Sequence, residues 1–243
     1  MFENLYIKLL MLIVSIIDSS NKKKIIEFFK KHYKNKPISV LDIGSHKGET
    51  IDYLIKNFNI HQIYSCEPNL KLFLEIKKNK KYQNDNIKLF NVALGNSNEK
   101  KTLNVFKDTS SSTFNIIDIN TKYFERKKKI INYFSESDNY FLEKQIVQVH
   151  KTSDFIKNNL IANLNILKID TEGYELNILQ GIDDDQFKFI EFIFFEHHYD
   201  LMIKKKYKFK DINELLLKKG FKKYFKTKMK FRKAFEYIYK NEK

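Results

Sequence analysis

Apolar positions in this chain cluster into short runs of strand length, and the stretches between them carry helical spacing. Ile38 to Ile43, Gln62 to Cys66, Ile87 to Val92, Leu164 to Asp170 and Phe189 to Phe195 read as strands. Gly48 to Asn57 and Asn69 to Lys78 read as the helices between the first three, with Pro68 at the entrance of the second and Asn69 as its N-cap. Glu172-Gly173-Tyr174-Glu175 turns into a helix that runs through Gln180 and stops at Gly181, and another helix from Asp211 to Lys219 stops at Gly220. Thr152 or Ser153 is expected to cap a short helix before the fourth strand. Strand, helix, strand at this spacing predicts parallel pairing with right-handed crossovers. Phe221 to Phe225 and Ala234 to Tyr239 predict a closing hairpin. The fold class is α/β: a doubly wound, mostly parallel sheet ending in an antiparallel pair.

Two stretches depart from that alternation. Residues 1–36 form an N-terminal helical segment, and the domain proper occupies 37–243. Within the segment, Leu5 to Ile17 is almost wholly apolar but shorter than the ~20 residues that span a bilayer. It reads as a helix packed on the domain or on a partner subunit. A peripheral membrane contact through residues 5–24, with Lys22 to Lys24 facing lipid, is the alternative. Residues 21–34 are amphipathic. The second departure is an insert at about 108–142, rich in Ser, Asn and Lys and without a clean period, flanked by short strands at Leu103 to Phe106 and Gln145 to His150. Inserts of this length inside a compact domain are usually functional lids or disordered.

Composition changes this picture little. The 243 residues carry a formal charge of +15, which by itself suggests a nucleic-acid partner. Only Arg126 and Arg232 are arginines, however, and the rest of the positive charge is lysine in a chain full of Asn and Ile. That bias fits an AT-rich genome, and bidentate base readers use arginine. Nucleic acid is therefore disfavoured as a partner. The single cysteine, Cys66, excludes a disulfide framework and a thiolate cluster and suits the cytoplasm.

The chemistry gathers at strand ends. Val40-Leu41-Asp42-Ile43-Gly44-Ser45-His46-Lys47-Gly48 is a strand, a glycine turn and a helix start. Gly-x-x-x-Gly is neither the dinucleotide fingerprint nor a P-loop. Glu67 ends the next strand, roughly 20 residues on, where an acid binds ribose hydroxyls. A nucleoside without a pyrophosphate fits, and S-adenosylmethionine is such a ligand. Asp42, Glu67, Asn91, Asp170 and Glu196 all fall at predicted strand carboxyl ends, the edge where open α/β sheets bind ligands.

Taken in order, Leu41 to Gly48, Cys66-Glu67-Pro68, Asn91-Val92-Ala93-Leu94-Gly95 and Leu167-Lys168-Ile169-Asp170-Thr171-Glu172-Gly173-Tyr174-Glu175 with Leu179-Gln180-Gly181 resemble the FkbM-type family of S-adenosylmethionine-dependent methyltransferases. The likeness spans roughly residues 38 to 225, and the serines at 110–112 fall where such proteins often carry a paired serine. His46-Lys47 departs from the small residue and Asn more usual there. The resemblance implies a Rossmann-like domain of the class I methyltransferase type. It implies methyl transfer to an oxygen, typically of a sugar, a glycolipid or a natural product. Asp42, Gly44, Ser45, Gly48, Glu67, Pro68, Asn91, Ala93 and Asp170 would form the cofactor site. Asp170, Glu172 and His197 or His198 are the candidates for handling the acceptor's proton. Asp170, Glu172 and Glu196 are an oxygen set that Mg²⁺ could use, although no spacing demands a metal. An RNA ribose methyltransferase and a non-catalytic binding protein on the same fold are the competing classes. An oligomer is compatible with the sequence.

Overall fold

A computed structural model gives the fold for residues 21–106, 112–133, 141–229 and 233–243, with the side chains of 141 and 142 left aside. The apolar run at 5–17, Ser110, Ser111 and parts of the insert lie outside the described residues.

The chain opens with α1 (residues 21–33). It continues through β1 (Ile38–Ile43), α2 (Glu49–Asn57), β2 (Ile60–Cys66), α3 (Leu70–Lys78) and β3 (Ile87–Phe90). β4 (Ala93–Gly95), β5 (Glu99–Phe106), β6 (Ile116–Ile117), α4 (Lys122–Ile131), β7 (Phe141–Lys151) and α5 (Thr152–Asn158) form the middle of the chain. β8 (Leu164–Ile169), α6 (Glu175–Gln180), β9 (Ile190–His198), β10 (Ile203–Lys204), α7 (Phe209–Lys218), β11 (Phe221–Lys228) and β12 (Ala234–Asn241) complete it.

The main sheet has the order β11-β12-β9-β8-β1-β2-β3. β3, β2, β1, β8 and β9 run parallel, and β12 and β11 close the edge antiparallel. β1 pairs with β2 on one side and β8 on the other, with Val40 opposite Ile63 and Ile166. The chain leaves β1 in one direction and returns on its other flank at β8, so the topological switch point lies between these strands. β1 is buried at all six positions, as a parallel strand covered on both faces should be.

Alternation along the strands divides the interior in two. Leu41, Ile43, Leu167, Ile169, Phe195 and Tyr237 lie with α5, α6 and α7 on one face. Val40, Ile166, Phe192 and Ile238 lie with Ile25 and Phe29 of α1 and Ile51 and Leu54 of α2 on the other. Phe28 and Phe29 meet the Phe192 ring edge-on, at 5.8 and 5.5 Å between centroids. α1 therefore belongs to the domain core.

Several boundaries differ from the sequence reading for identifiable reasons. The strands expected at Leu103 to Phe106 and Gln145 to His150 are the C-terminal half of one longer strand and the interior of another. β5 and β7 pair from Glu99 with Val149 to Phe106 with Phe141, and β4 joins β7 in a separate three-stranded sheet. The insert contains α4, whose Thr121 hydroxyl accepts from the Phe124 N–H at 3.2 Å. Only Phe124 and Ile131 of α4 are buried, against Phe106, Met202 and Ile203. Two apolar contacts seven residues apart in a lysine-rich stretch leave no visible period. Neither Thr152 nor Ser153 caps α5, because Lys151 takes the N-cap position. The Thr152 hydroxyl donates instead toward the Gly95 and Ile178 carbonyls. Gly181 is right-handed, φ −78°, not the left-handed stop expected. It is glycine because a Cβ there would lie 1.9 Å from the Gly95 oxygen. Among the described residues, no helix is long and apolar enough to cross a membrane.

Candidate functional site

Two loops meet at the switch point. Gly44 follows β1 with φ +86°, and a Cβ there would lie 2.0 Å from the Asp170 carbonyl oxygen. Glycine alone permits both the left-handed backbone and this approach. The Gly44 N–H donates to the Cys66 oxygen at 2.9 Å, and the Asp170 N–H donates to the Ile43 oxygen at 2.9 Å, so β1, β2 and β8 end level with one another. Ser45 is buried in this turn and accepts from the Gly48 N–H at 2.8 Å. Gly48 also has φ +86°, but a Cβ there would meet the Tyr82 hydroxyl at 2.8 Å and its ring at 2.9 Å. Its place is in the turn's support beneath Tyr82, away from the cleft expected to hold a cofactor.

Glu67 ends β2 as a clamp. Its two carboxylate oxygens accept from the His46 N–H at 2.8 Å and the Asn69 N–H at 2.9 Å, tying the loops after β1 and β2 together. Burial pushes its carboxyl up to about 7, against the pull of those backbone donors. Each oxygen keeps a further lone pair for a ligand hydroxyl. Asn91 braces the same loop, donating to the Glu67 and Pro68 carbonyls at 2.9 and 3.1 Å. The wall beside Glu67 and Pro68 is made by Val92, Ala93 and Leu94, with Phe114 beyond them. These residues define a narrow cleft with a carboxylate at one end and apolar walls along it, and Gly44 and Asp170 border it. That donor set fits the ribose and base of a nucleoside.

Asp42 lies below the cleft, fully buried, with Oδ1 3.1 Å from Lys168 Nζ. The same ammonium is 3.3 Å from Asp170 Oδ2. Burial works against the charge on Lys168, but the two carboxylates outweigh it and hold its pKa above the ordinary lysine value. Asp42 thus reaches the site through Lys168. Asp170 is half-exposed and borders both the cleft and a second cavity on the α1 side.

Glu172 is held in an unusual backbone, φ +50°, followed by Gly173 at +93°. The Thr113 hydroxyl donates to the Glu172 carbonyl at 2.7 Å and Asn115 Nδ2 donates to the Gly173 carbonyl at 2.8 Å, so the 112–115 segment fixes this turn. Strain of this kind persists only where surroundings over-determine it, as at functional sites. The Glu172 carboxyl is 3.1 Å from His198 Nε2. Burial raises it to about 7, partly opposed by His198 and reinforced by Glu196. His198 also lies 3.1 Å from Glu196 and 3.3 Å from Asp200. Burial disfavours its charge, yet Glu172, Asp200 and Glu196 raise its pKa well above the usual range, so it is an imidazolium at neutral pH.

The two adjacent histidines are not interchangeable. β9 extends through His198, three residues past its expected end at Phe195, so both sit in the sheet and face opposite sides. His197 points away from the cleft, among the rings of Tyr199, Tyr207 and Phe209 and 3.8 Å from Glu175. Burial lowers its pKa. Its assignment to proton handling is corrected to a structural one: with Glu175, which accepts from the Gly173 N–H at 2.7 Å and from the Tyr207 hydroxyl, it supports the turn from behind.

The sequence assigns Lys168 no role beyond its place in the Leu167 to Glu175 stretch, and assigns Glu236 none. Each is a charged residue flanked on both sides by apolar ones within a strand, which is the signal that could have found them. Glu236 stands directly across from Glu196 in the β12–β9 pair. Burial, then Glu196, lifts its carboxyl to about 8. Among the described residues, no group of three or more His, Cys, Asp or Glu side chains could hold a metal ion. Glu172 and Glu196 both turn toward His198 instead.

Known proteins share this fold. A family model described as the methyltransferase FkbM domain matches residues 42–223. No curated protein matches the chain. Among solved structures, the FkbM methyltransferase of Methylobacillus flagellatus superposes with a TM-score of 0.50 at 13% identity, over 84% of this chain and 43% of that one. The chain thus spans less than half the length of that relative. The magnesium protoporphyrin IX methyltransferase of Synechocystis, solved with bound S-adenosylhomocysteine, superposes at 0.51 with 7% identity, over 94% of this chain and 85% of that one. The METTL16 methyltransferase domain superposes at 0.50 with 15% identity, over 92% and 67%. At such identities the likeness speaks to the fold, which is that of the class I methyltransferases.

Proposed function

The chain belongs to the FkbM methyltransferase family, and from that premise we propose that it methylates the hydroxyl oxygen of a small acceptor, a carbohydrate or glycolipid, using S-adenosylmethionine. The observation that carries the reading is the shared edge at the switch point. There, Gly44, Asp170 and Glu172 border both the cleft beside Glu67 and a second cavity. Glu67 would hold the ribose hydroxyls, while Val92, Ala93, Leu94 and Phe114 would enclose the base. The bound cofactor supplies a methyl group already activated by its sulfonium.

What remains for the protein is to align the acceptor and remove its proton. Glu172 suits the second task. Its carboxyl titrates near neutrality, where a general base is most effective, and the protonated His198 behind it steadies the anion that must form before the proton is taken. Asp170, held by Lys168, orients the acceptor hydroxyl. A catalytic divalent ion is not part of this proposal.

Calorimetric titration with S-adenosylmethionine and S-adenosylhomocysteine tests the reading. Micromolar binding is expected, and Glu67→Ala should weaken it. Asp170→Ala should largely keep binding and lose turnover. A wild-type chain that binds neither compound would refute the proposal.

A further inference from the structure

We infer, on the methyltransferase reading above, that the α1 side of the strand edge is an acceptor chamber shaped for a hydroxyl carried on an apolar body, with Glu236 as its polar anchor.

A cavity of about 280 Å³ lies between α1, α2 and the sheet. Ile25, Phe29, Val40, Leu54, Ile166 and Phe194 give it apolar walls. At the strand ends it meets Gly44, Asp170 and Glu172, which also border the nucleoside cleft. A molecule in the chamber therefore presents its head where the methyl group would be delivered.

Glu236 lines the same chamber. It is 8% exposed, and among the described residues its Oε2 has no hydrogen-bond partner. Buried polar atoms are almost always paired, and an exception calls for an explanation. Lying opposite Glu196, it keeps its proton at neutral pH. A neutral carboxyl both donates and accepts, which matches an alcohol, whereas an ionised pair would call for a cation. The apolar depth selects against fully polar acceptors. Polar side chains also line the chamber, Lys22, Glu49, Thr50 and Tyr53 on the helices and Lys168 and Glu196 on the sheet, but a free sugar laid against the apolar walls would lose hydration there without replacement. An alkyl or aryl portion is stabilised there by burial.

The test is calorimetry on the full chain saturated with S-adenosylhomocysteine, using a series of n-alkyl β-D-glucosides from methyl to octyl below their micelle concentrations. Affinity should rise about fourfold per added methylene until the chamber is filled, and then level off. Leu54→Phe, which narrows the chamber, should move the plateau to shorter chains, and Phe29→Ala should move it to longer ones. Glu236→Leu should weaken every member of the series by a similar factor and leave S-adenosylhomocysteine binding intact. If Leu54→Phe does not fold, the wild-type series and Phe29→Ala decide. A flat series beside intact S-adenosylhomocysteine binding would overturn the chamber alone. A rising series indifferent to both packing variants would put the tail elsewhere and overturn it as well. Loss of S-adenosylhomocysteine binding from the wild type would overturn the methyltransferase reading, and the acceptor role with it.

Discussion

Replacing Glu236 by Gln removes one ionisation and keeps the shape of the side chain. In the folded protein burial and the facing Glu196 lift this carboxyl from the ordinary 4.5 to about 8. The folded state thus holds a proton that the unfolded chain has already released across that interval. Folding stability from this group is fully present below pH 4.5, declines as pH rises, and levels off above about 8. Each pH unit carries about 1.4 kcal/mol, so a gap of about 3.5 units sets a ceiling of about 5 kcal/mol. Coupling to Glu196 shares some of that between the two carboxyls. Urea unfolding of wild type and Glu236→Gln at pH 5 and pH 8.5 measures it. The two proteins should agree within about 1 kcal/mol at pH 5. At pH 8.5 the variant should be the more stable by about 2–5 kcal/mol, with similar m-values. Curves that run parallel across the pH range, or a variant destabilised most at pH 8.5, would refute the assignment of a strongly held proton to this position.

The remaining predictions concern the turn and its base. Gly44→Ala, with its new Cβ 2.0 Å from the Asp170 oxygen, should abolish S-adenosylhomocysteine binding in calorimetry and lower Tm. Turnover should rise with pH through about 7 as Glu172 ionises, and Glu172→Gln should remove that limb with a loss of about 10²–10⁴ in kcat. His198→Gln takes away the cation that holds Glu172 down, so the limb should move to higher pH while cofactor affinity stays within about threefold. Gly181→Ala should cost about 1–3 kcal/mol in chemical denaturation, because its Cβ cannot be placed without moving the Gly95 backbone.

The sheet was legible because its strands are continuous apolar runs that end in acids. Asp42, Glu67 and Asp170 could be placed at one edge from spacing alone. Contacts between those ends were harder to read. Nothing local says that Lys168, between Leu167 and Ile169, reaches across to Asp42, 126 residues earlier, or that β12 sets Glu236 opposite Glu196. Such pairings depend on strand order, and strand order depends on the whole chain. The choice between His197 and His198 turned on where β9 ends. Once the strand includes both, the period of two puts His198 with Glu196 on the cavity side and His197 behind. Gly48 and Asn91 look like ligand contacts in the sequence, yet Tyr82 and the Glu67–Pro68 carbonyls claim them, because a loop that receives a ligand must itself be held.

The position of β12 also bears on how the protein is made. It lies between β9 and β11, yet it follows both in the chain. While translation proceeds, β9, with its Phe192-Ile193-Phe194-Phe195 run, waits with one edge unpaired until residues 234–241 have left the ribosome. A long aromatic edge of this kind invites pairing with a neighbouring chain. Yield on overexpression should therefore depend on chaperone supply and on the speed of synthesis after β9, and a premature stop before Ala234 should give aggregates in place of a slightly shortened protein.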